Sequence, residues 1–346
     1  IGSKGFIAKN LILTLKNTPN IKLFQVRNRK EKKKIFVNME KVDTIFHFAG
    51  VNKGTKKEFF DNNYLLTSEI CKRIVKKKLN LKFFYTSTIH TNKNTFYGKS
   101  KKLAEGKVLE LRKKTKCEIF IYKLPNIFGK GSKPFYNSVV ATFCHLLARN
   151  KKVIIESPKN KINLLYIDDL IDSFKQKLFA KKIFISNYVK LPRSYNTSVA
   201  NLFKILKGFQ ENKDFAILHS QNFFMKKLYA TYISYLPVRK TKFLKSGHED
   251  SRGIFYELLK SKDFGQISFV SVAPGETRGN HFHNTKVELF FLVSGLVKIN
   301  VENIFDKKKF SFILREGKKI PSTITQPGFA HNIVNVGKKE AKLVIW

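Results

Sequence analysis

Cysteine is scarce in this sequence of 346 residues: Cys71, Cys117 and Cys144 lie far apart and form no CxxC pair. An odd and sparse set of this kind excludes a disulfide framework and predicts reduced thiols in a cytoplasmic protein. Long apolar runs are also missing, since none approaches the roughly 18 residues that a membrane-spanning helix needs. With 42% apolar residues, a chain of this length can nevertheless bury the cores of two domains.

Acidic residues are few as well, with 25 against 67 basic residues and a formal net charge of +42. Such a charge is typical of proteins that bind nucleic acid or anionic membranes. A nucleic-acid-binding face, however, needs clustered charge and arginines for bidentate contacts. Only ten of the basic residues are arginine, and the lysines are spread over both halves of the sequence. We therefore interpret the charge as compositional drift and expect no specific nucleic-acid or membrane partner, although it favours a polyanionic small molecule.

The first part of the chain alternates short apolar runs with amphipathic stretches. The runs are rich in β-branched and aromatic residues, as buried parallel strands are, and they span residues 21–26, 44–49, 82–86 and 117–122. Residues 62–78 and 98–116 carry apolar side chains at helical spacing, with lysines on the opposite face. This alternation predicts an α/β domain with a Rossmann-type, doubly wound parallel sheet.

Helical periodicity ends at about Ser246. Short alternating runs follow, separated by Gly, Pro and Asn turns, at residues 266–272, 288–293, 297–301, 309–314 and 331–336. They predict an all-β jelly-roll barrel. We place the two domains at residues 1–243 and 244–346, with the boundary between Pro237 and Gly247. Ile1-Gly2 resembles the last step of a strand and Trp346 lies in a strand-like run, so we expect each domain to be truncated at its end of the sequence.

A glycine-rich segment at the start of the sequence precedes a predicted helix over Lys9–Leu15. The segment consists of Gly2, Ser3, Lys4, Gly5, Phe6, Ile7 and Ala8. Glycines let the backbone approach a pyrophosphate, and the N-terminus of the helix offers free N–H groups to the phosphates. Ala49 and Gly50 end a later strand, where small residues leave room for a cofactor.

Two arginines, Arg27 and Arg29, follow the second predicted strand. An acidic residue at this place favours an unphosphorylated ribose, whereas arginine favours the 2′-phosphate of NADPH. In so basic a chain, the alternative is that both arginines are ordinary surface charges. We predict NADPH as the cofactor.

Tyr97 and Lys101 are four residues apart on a predicted helix and therefore share one of its faces. A lysine ammonium beside a phenol favours the phenolate, so we expect it to lower the pKa of Tyr97 and make this residue an acid/base near neutral pH. Thr86-Ser87-Thr88 ends the preceding strand and supplies a hydroxyl for a substrate oxygen. A chance pair on a helix surface is the alternative, and the glycine-rich segment upstream disfavours it.

Over about residues 1–237, these motifs resemble the extended short-chain dehydrogenase/reductase family. The resemblance rests on Gly2, Gly5, Ala8, Ala49, Gly50, Thr88, Tyr97, Lys101 and the string Leu124-Pro125-Asn126-Ile127-Phe128-Gly129. It implies that Thr88 orients the substrate carbonyl, with Ser87 as the neighbouring candidate. It further implies that Tyr97 donates a proton, that Lys101 holds the nicotinamide ribose, and that Asn126 borders a sugar-nucleotide pocket.

Three histidines and one glutamate near the end of the chain have the spacing of a metal site: His281, His283, Glu288 and His331. Alternate residues of a strand point to one side of a sheet, so His281 and His283 share a side. Three imidazole nitrogens and one carboxylate oxygen suit a divalent ion such as Zn²⁺, Fe²⁺, Mn²⁺ or Ni²⁺, with zinc as the first candidate. From about Ser246 to Trp346, the pattern resembles the two motifs of the cupin family.

Asp250-Ser251-Arg252-Gly253 opens this second domain. It resembles the corresponding motif of cupin-type deoxysugar epimerases, which implies that Arg252 meets a nucleotide diphosphate. A surface turn that ends at Gly253 is an equally good interpretation.

As a whole, the chain resembles the family of two-domain reductases of capsule synthesis, in which a reductase domain precedes a cupin. This implies a UDP-2-acetamido-2,6-dideoxy-4-ketohexose as substrate, with epimerisation at C3 in the cupin and NADPH-dependent reduction at C4, toward UDP-N-acetyl-L-fucosamine. A homodimer is also implied. Three alternatives stay open: a reductase with a structural cupin, a redox-neutral NAD-dependent sugar-nucleotide epimerase or dehydratase, and a basic nucleic-acid-binding protein.

Overall fold

A computed structural model describes residues 1–27, 29–180, 188–211, 222–242, 244–261 and 265–346. The chain divides into two compact units. The first comprises Ile1–Glu211 and Phe224–Pro237, and the second contains Val238–Trp346. None of the helices in the described ranges is long and apolar enough to cross a membrane.

The first unit is an α/β domain. Its strands are β1 (Thr44–His47), β2 (Lys82–Thr88), β3 (Glu118–Leu124), β4 (Asn126–Phe128), β5 (Lys161–Tyr166) and β6 (Tyr195–Ser198). Its helices are α1 (Phe6–Leu15), α2 (Lys32–Asn38), α3 (Lys56–Phe59), α4 (Leu66–Lys76), α5 (Phe96–Lys114), α6 (Val139–Leu147), α7 (Ile167–Phe179), α8 (Val199–Glu211) and α9 (Phe223–Ile233). Strands β1, β2 and β3 pair in parallel, and β4, β5 and β6 form a second sheet in which β4 and β5 are parallel.

Helices cover both faces of the parallel sheet. Phe83 and Tyr85 of β2 belong to an apolar cluster that includes residues of α4 and α5. Phe84 between them belongs to a second cluster, which includes residues of α1 and α7. Because alternate residues of a strand point to opposite faces, this division confirms the predicted doubly wound arrangement.

The predicted strand over residues 21–26 is not regular. The structure assigns it no strand, and only Val26 is fully buried there. The amides of Gly2 and Ser3 both donate to the Val26 carbonyl, at 2.8 and 3.0 Å. Two hydrogen bonds to one carbonyl do not make a ladder, so the predicted strand is absent from the described residues.

The second unit is all-β. Its strands are β7 (His248–Asp250), β8 (Gly253–Ser261), β9 (Gly265–Val272), β10 (Thr277–His281), β11 (Leu289–Ser294), β12 (Leu296–Asn303), β13 (Lys309–Arg315), β14 (Ser322–Ile324), β15 (Phe329–Asn335) and β16 (Ala341–Ile345). They form two antiparallel sheets, in the orders β10-β15-β12-β13 and β14-β11-β16-β9-β8-β7. Val297 and Ile333 of the first sheet share one buried core with Phe290 and Leu343 of the second. The two sheets therefore pack face to face, and the predicted fold class is confirmed.

Candidate functional sites

The glycine-rich segment forms the start of α1. Gly2 has φ +89°, and a Cβ at this position would lie 2.7 Å from the backbone nitrogen of Ala49. Gly5 is the N-cap of the helix, and the first turn contains no acidic residue. Ser3, Phe6 and Ile7 are partly exposed and Lys4 is exposed. The free amides and the positive end of the helix dipole therefore suit an anion such as a pyrophosphate.

The two arginines of the presumed ribose site have different surroundings. Arg29 Nη1 lies 3.2 Å from Asp61 Oδ2, so its charge is already paired. Arg27 is exposed, and its backbone N–H donates to Glu31 Oε2 at 3.0 Å. Of the two, Arg27 is thus the side chain that is better placed to contact a phosphate.

Tyr97 and Lys101 lie on α5, whose N-cap Thr95 accepts a hydrogen bond from Gly98 N at 3.0 Å. Lys101 is buried, and its Nζ donates to the Thr86 carbonyl at 2.6 Å and lies 4.6 Å from the centre of the Tyr85 ring. A Cβ built on Gly50 would be 3.9 Å from this Nζ, so the backbone after β1, where the sequence predicted room for a cofactor, lies beside the lysine. Thr88 is buried at the end of β2 and hydrogen-bonds the Tyr97 side chain. The structure thus brings together the three residues that the sequence singled out.

The prediction that the pKa of Tyr97 is lowered is wrong for this structure. Burial raises the pKa of Tyr97, and the hydrogen bond with Thr88 opposes this only in part. Burial also lowers the pKa of Lys101 to about 8, although the nearby Glu105 carboxylate opposes the shift. The reason is that the lysine is directed to the Thr86 carbonyl, so loss of hydration dominates at the phenol.

Sequence reasoning missed Asn63, a buried residue in a π-helical segment, Phe60–Leu65, that precedes α4. Its side chain accepts from Val51 N at 2.8 Å and donates to Val51 O at 3.0 Å. It also donates to Ser100 Oγ at 3.0 Å, on the helix turn between Tyr97 and Lys101. Asn63 therefore holds the loop after Gly50 against α5. The sequence gives no signal for it, because a π-helical turn has no distinctive residue pattern.

Asn126, the predicted border of a sugar-nucleotide pocket, begins β4 and is exposed. Its Nδ2 donates to the Asn163 carbonyl at 3.3 Å, on the neighbouring strand β5. The structure thus places it at a strand end, on an exposed position.

In the second unit, a backbone irregularity directs His281 toward His331. The pairing of β10 with β15 shifts between Gly279 and His281, and Gly279 and Asn280 both have positive φ, at +103° and +64°. A Cβ at Gly279 would lie 2.8 Å from the His331 carbonyl oxygen, so this position requires glycine. His281 then stands directly opposite His331 across the two strands.

The four predicted metal ligands form one cluster. One ligand atom from each of His281, His283, Glu288 and His331 can be chosen so that all lie within 4.8 Å of one another. Glu288 Oε2 is 3.3 Å from Nε2 of both His283 and His331. Two hydrogen bonds hold the Glu288 backbone to Thr325: Glu288 N donates to Thr325 Oγ1 at 2.9 Å, and Thr325 N donates to the Glu288 carbonyl at 2.8 Å.

The cluster has the chemistry of a cation site. In the described residues, Nε2 of His283 and both ring nitrogens of His331 are buried and make no hydrogen bond of good geometry, although Glu288 Oε2 lies 3.3 Å from both Nε2 atoms. Burial also lowers the pKa of His281, which favours the neutral imidazole that binds metals. Burial alone would raise the pKa of Glu288, but the nearby His331 and Lys286 outweigh it and lower the pKa to about 2. The residues therefore fit a divalent cation, and Lys286, whose Nζ lies 2.5 Å from Glu288 Oε1, is a neighbour that the sequence did not reveal.

Arg252 is held by Asp250 rather than left free. Its Nε and Nη2 donate to Asp250 Oδ2 at 3.1 and 2.6 Å, and the pair is exposed. Arg278, which the sequence analysis did not single out, donates to Asp250 Oδ1 at 3.0 Å and to the Gly253 carbonyl at 2.5 Å. The structure therefore shows a turn with two arginines around one carboxylate, as the surface-turn interpretation expects, and the contact of Arg252 with a diphosphate stays a prediction.

These features define a two-domain enzyme with a dinucleotide-binding unit and an all-β unit. Residues 1–180 match the NAD dependent epimerase/dehydratase family, and residues 248–346 match the polysaccharide biosynthesis C-terminal domain. The chain belongs to the NAD dependent epimerase/dehydratase family, and its first unit is a nicotinamide-cofactor domain.

Two relatives are similar over the full chain. A UDP-2-acetamido-2,6-beta-L-arabino-hexul-4-ose reductase of Pseudomonas aeruginosa is 34% identical, over 100% of this chain and 93% of its own length. The crystal structure of the capsular polysaccharide assembling protein CapF of Staphylococcus aureus has a TM-score of 0.86 and 29% identity, and the match covers 100% of this chain and 94% of CapF. A UDP-glucuronic acid 4-epimerase of Bacillus cereus, solved with NAD, matches 68% of this chain and 94% of its own, with a TM-score of 0.57 and 16% identity, and shares the fold.

Proposed function

We propose that this protein is a nucleotide-sugar reductase and epimerase that acts on a UDP-2-acetamido-2,6-dideoxy-4-ketohexose. The observation that carries the proposal is the joint presence, in one chain, of the Thr88–Tyr97–Lys101 site and the cluster of three histidines and Glu288. Similarity to the Pseudomonas reductase and to CapF extends over both units and supports the same substrate class. The route would lead toward UDP-N-acetyl-L-fucosamine for a capsule or O-antigen, in the cytoplasm.

In the first unit, the reductase site would reduce the C4 carbonyl. Thr88 would hold the carbonyl oxygen, and Tyr97, a protonated phenol across neutral pH because its pKa is raised, would donate the proton to that oxygen. Lys101 would hold the ribose hydroxyls of the nicotinamide end, beside Gly50. When bound, NADPH would supply the hydride. The charged Lys101 also favours negative charge that develops on the carbonyl oxygen.

Arg27 supports NADPH over NADH, because its side chain is exposed, whereas the Arg29 side chain is paired with Asp61. We expect Arg27→Ser to raise the KM for NADPH about tenfold, the equivalent of one lost charge-assisted contact, and to leave the KM for NADH nearly unchanged. Initial rates with both cofactors measure this. Arg73→Ser, on α4 and paired with Glu40, is the matched control. Equal losses for both cofactors would contradict the assignment.

In the second unit, His281, His283, Glu288 and His331 would hold a divalent metal, with zinc as the first candidate. When bound, such an ion can stabilise the negative charge of an enolate. The proton at C3 is acidic because it lies beside the C4 ketone, so epimerisation at C3 needs a base and a group that stabilises the enolate. Arg252 and Arg278, around Asp250, are the candidates for the diphosphate of the substrate.

A structural metal is the second candidate, and one observation favours it. Four protein ligands complete a tetrahedral site, whereas catalytic zinc sites usually have three and keep one position open. In that case, the all-β unit would serve stability or assembly and the reductase would act alone.

One experiment separates these possibilities. The protein receives the 4-keto UDP-sugar and NADPH in D₂O, NADPH oxidation is followed, and the product is analysed by mass spectrometry and NMR. Oxidation of NADPH with one deuterium at C3 is the result expected for a reductase and an epimerase in one chain. Oxidation without deuterium would assign the second unit a structural role. Turnover of the sugar without NADPH oxidation would replace the proposal by a redox-neutral epimerase.

We also propose a homodimer, formed through β13. This strand is at the end of its sheet, and Phe310, Phe312 and Ile313 on it are exposed. Exposed apolar edge strands pair readily with a second copy. Ile313→Lys is expected to shift the protein from dimer to monomer in sedimentation velocity at micromolar concentration. Val336→Lys, an exposed apolar position of the same unit, is the control, and equal behaviour of the two variants would disprove this interface.

A further inference from the structure

A buried carboxylate lies on α5 one turn beyond Lys101. Glu105 is only 6% exposed, although a carboxylate is rarely buried without partners. Its Oε2 accepts a hydrogen bond from Ser87 Oγ at 2.5 Å. Its Oε1 accepts one from the Tyr188 hydroxyl at 2.6 Å and lies 3.2 Å from Lys123 Nζ.

These contacts join α5 to the carboxyl ends of two strands. Ser87 lies in β2 between Thr86, whose carbonyl accepts from Lys101, and Thr88, the proposed carbonyl ligand. Lys123 lies near the end of β3. Glu105 therefore fixes the strand end that contacts Lys101 and carries Thr88, without contacting Lys101 itself.

Glu105 also sets the charge balance around Lys101. The titratable groups that contact or act on this lysine are His47 of β1, Tyr85 of β2 and Glu105 of its own helix. Tyr97 lies one turn before Lys101 on the same helix. Burial lowers the pKa of His47 and raises that of both tyrosines, so these three groups are neutral near pH 7. Among the described groups that act on Lys101, Glu105 is thus the negative one, and it stabilises the ammonium.

We propose that Glu105 is a positioning residue of the reductase site: it anchors the Thr86–Thr88 strand end through Ser87, and its carboxylate lies one helix turn from Lys101 on the same helix. This inference rests on the proposed function only for its effect on turnover, since its effect on Lys101 is a property of the folded protein. Lys123 moderates the effect, because it offsets part of the Glu105 charge from the other side.

The test uses two substitutions with opposite expected signs. Glu105→Gln keeps the size and a hydrogen-bonding group but removes the charge, so Lys101 is expected to lose its proton about one pH unit lower. Lys123→Met removes the competing cation, so Lys101 is expected to lose its proton at higher pH than in the original protein. Glu110→Gln, an exposed residue of the same helix paired with Lys107, is the matched control and is expected to change neither.

Competitive acetylation of the full-length protein, followed by peptide mass spectrometry across pH 6–11, measures the protonation of Lys101 without turnover. The fall of kcat for NADPH oxidation at alkaline pH is measured in parallel. For Glu105→Gln, this fall should begin at lower pH, as should the loss of the Lys101 proton in the labelling experiment. Shifts of opposite sign for Glu105→Gln and Lys123→Met support the proposal. A Glu105→Gln profile that matches the control overturns it, as do shifts of the same sign in both variants, which indicate general disruption.

The two levels of the proposal fail separately. If the original protein does not oxidise NADPH with the 4-keto sugar, the proposed function is wrong, and the labelling profiles still decide the role of Glu105. If Glu105→Gln does not fold, as judged by thermal unfolding, Lys123→Met decides alone: an unchanged Lys101 profile overturns the proposal, and a shift to higher pH supports it.

Discussion

Tyr97→Phe is expected to lower kcat for NADPH oxidation by about 10³-fold, within the range that a positioned general acid contributes. The substitution removes only the hydroxyl that hydrogen-bonds Thr88 and keeps the ring, whose centre lies 5.9 Å from that of Phe59. KM for NADPH should change little if the phenol acts on the reacting oxygen, as proposed, rather than on the cofactor. Single-turnover absorbance at 340 nm measures the chemical step directly.

The pH dependence gives a second signature of the same site. Lys101 has a pKa lowered to about 8, whereas the pKa of Tyr97 is raised, so the lysine loses its proton first as the pH rises. The rate should therefore fall as the pH rises through about 8, and the residual rate of Tyr97→Phe should show the same limb. Tyr64→Phe, a half-buried tyrosine of the same unit, is the control for ring hydroxyl loss. A Tyr97→Phe variant within tenfold of the original rate would disprove the general-acid role.

If the second unit binds the proposed metal, removal of that metal is expected to have the largest effect on stability. At a thousandfold excess over Kd, a ligand that binds only the folded state stabilises it by about 4 kcal/mol. For a unit of this size, that is upward of about 15 °C in Tm. Glu288→Gln keeps the shape of the side chain and its backbone contacts with Thr325 but removes one anionic ligand. We therefore expect it to lose bound metal and to unfold at the temperature of the chelator-treated protein.

Calorimetry before and after chelation, with elemental analysis of the bound metal, measures this effect. Glu302→Gln, a partly exposed glutamate of the same unit that pairs with Lys309, should bind metal and unfold as the original protein does. Full metal content in Glu288→Gln would remove this residue from the ligand set. An unchanged Tm after verified loss of metal would show that the sheets do not depend on the ion for their stability.

Local patterns predicted most of the fold. Residues 82–86 and 117–122 are mostly apolar because both faces of their strands are covered, and they lie almost entirely in the parallel strands β2 and β3. Residues 21–26 have a similar composition but no strand structure, since regular pairing depends on neighbours that a local pattern does not specify. The stretch over 62–78 was predicted as one helix, whereas the chain makes a π-helical turn before α4.

The candidate sites were predictable to the level of residue type and spacing. His281, His283, Glu288 and His331 do converge, as their spacing predicted. The predicted strand alternation of His281 and His283 is wrong, because β10 ends at His281 and His283 lies in the segment that follows it. The direction of the pKa shift of Tyr97 was not predictable in this way, since it depends on how deeply the phenol is buried and on where Lys101 points. The roles of Glu105 and Lys286 were not predictable either. Glu105 contacts Ser87, which is distant in sequence, and Lys286 contacts Glu288 across a turn. A single charged residue in a chain this rich in charge has no distinctive pattern.

The bulge at Gly279 and Asn280 has a consequence for the evolution of metal preference. The main chain, through the +103° φ of Gly279 and the pairing of His281 with His331, sets where two ligand positions face each other. The donor atoms themselves depend only on which side chains occupy these positions, and not on the main chain. One nucleotide change at codon 281 could therefore exchange a nitrogen donor for an oxygen donor and move the site toward a harder ion, while the scaffold that spaces the ligands stays as it is.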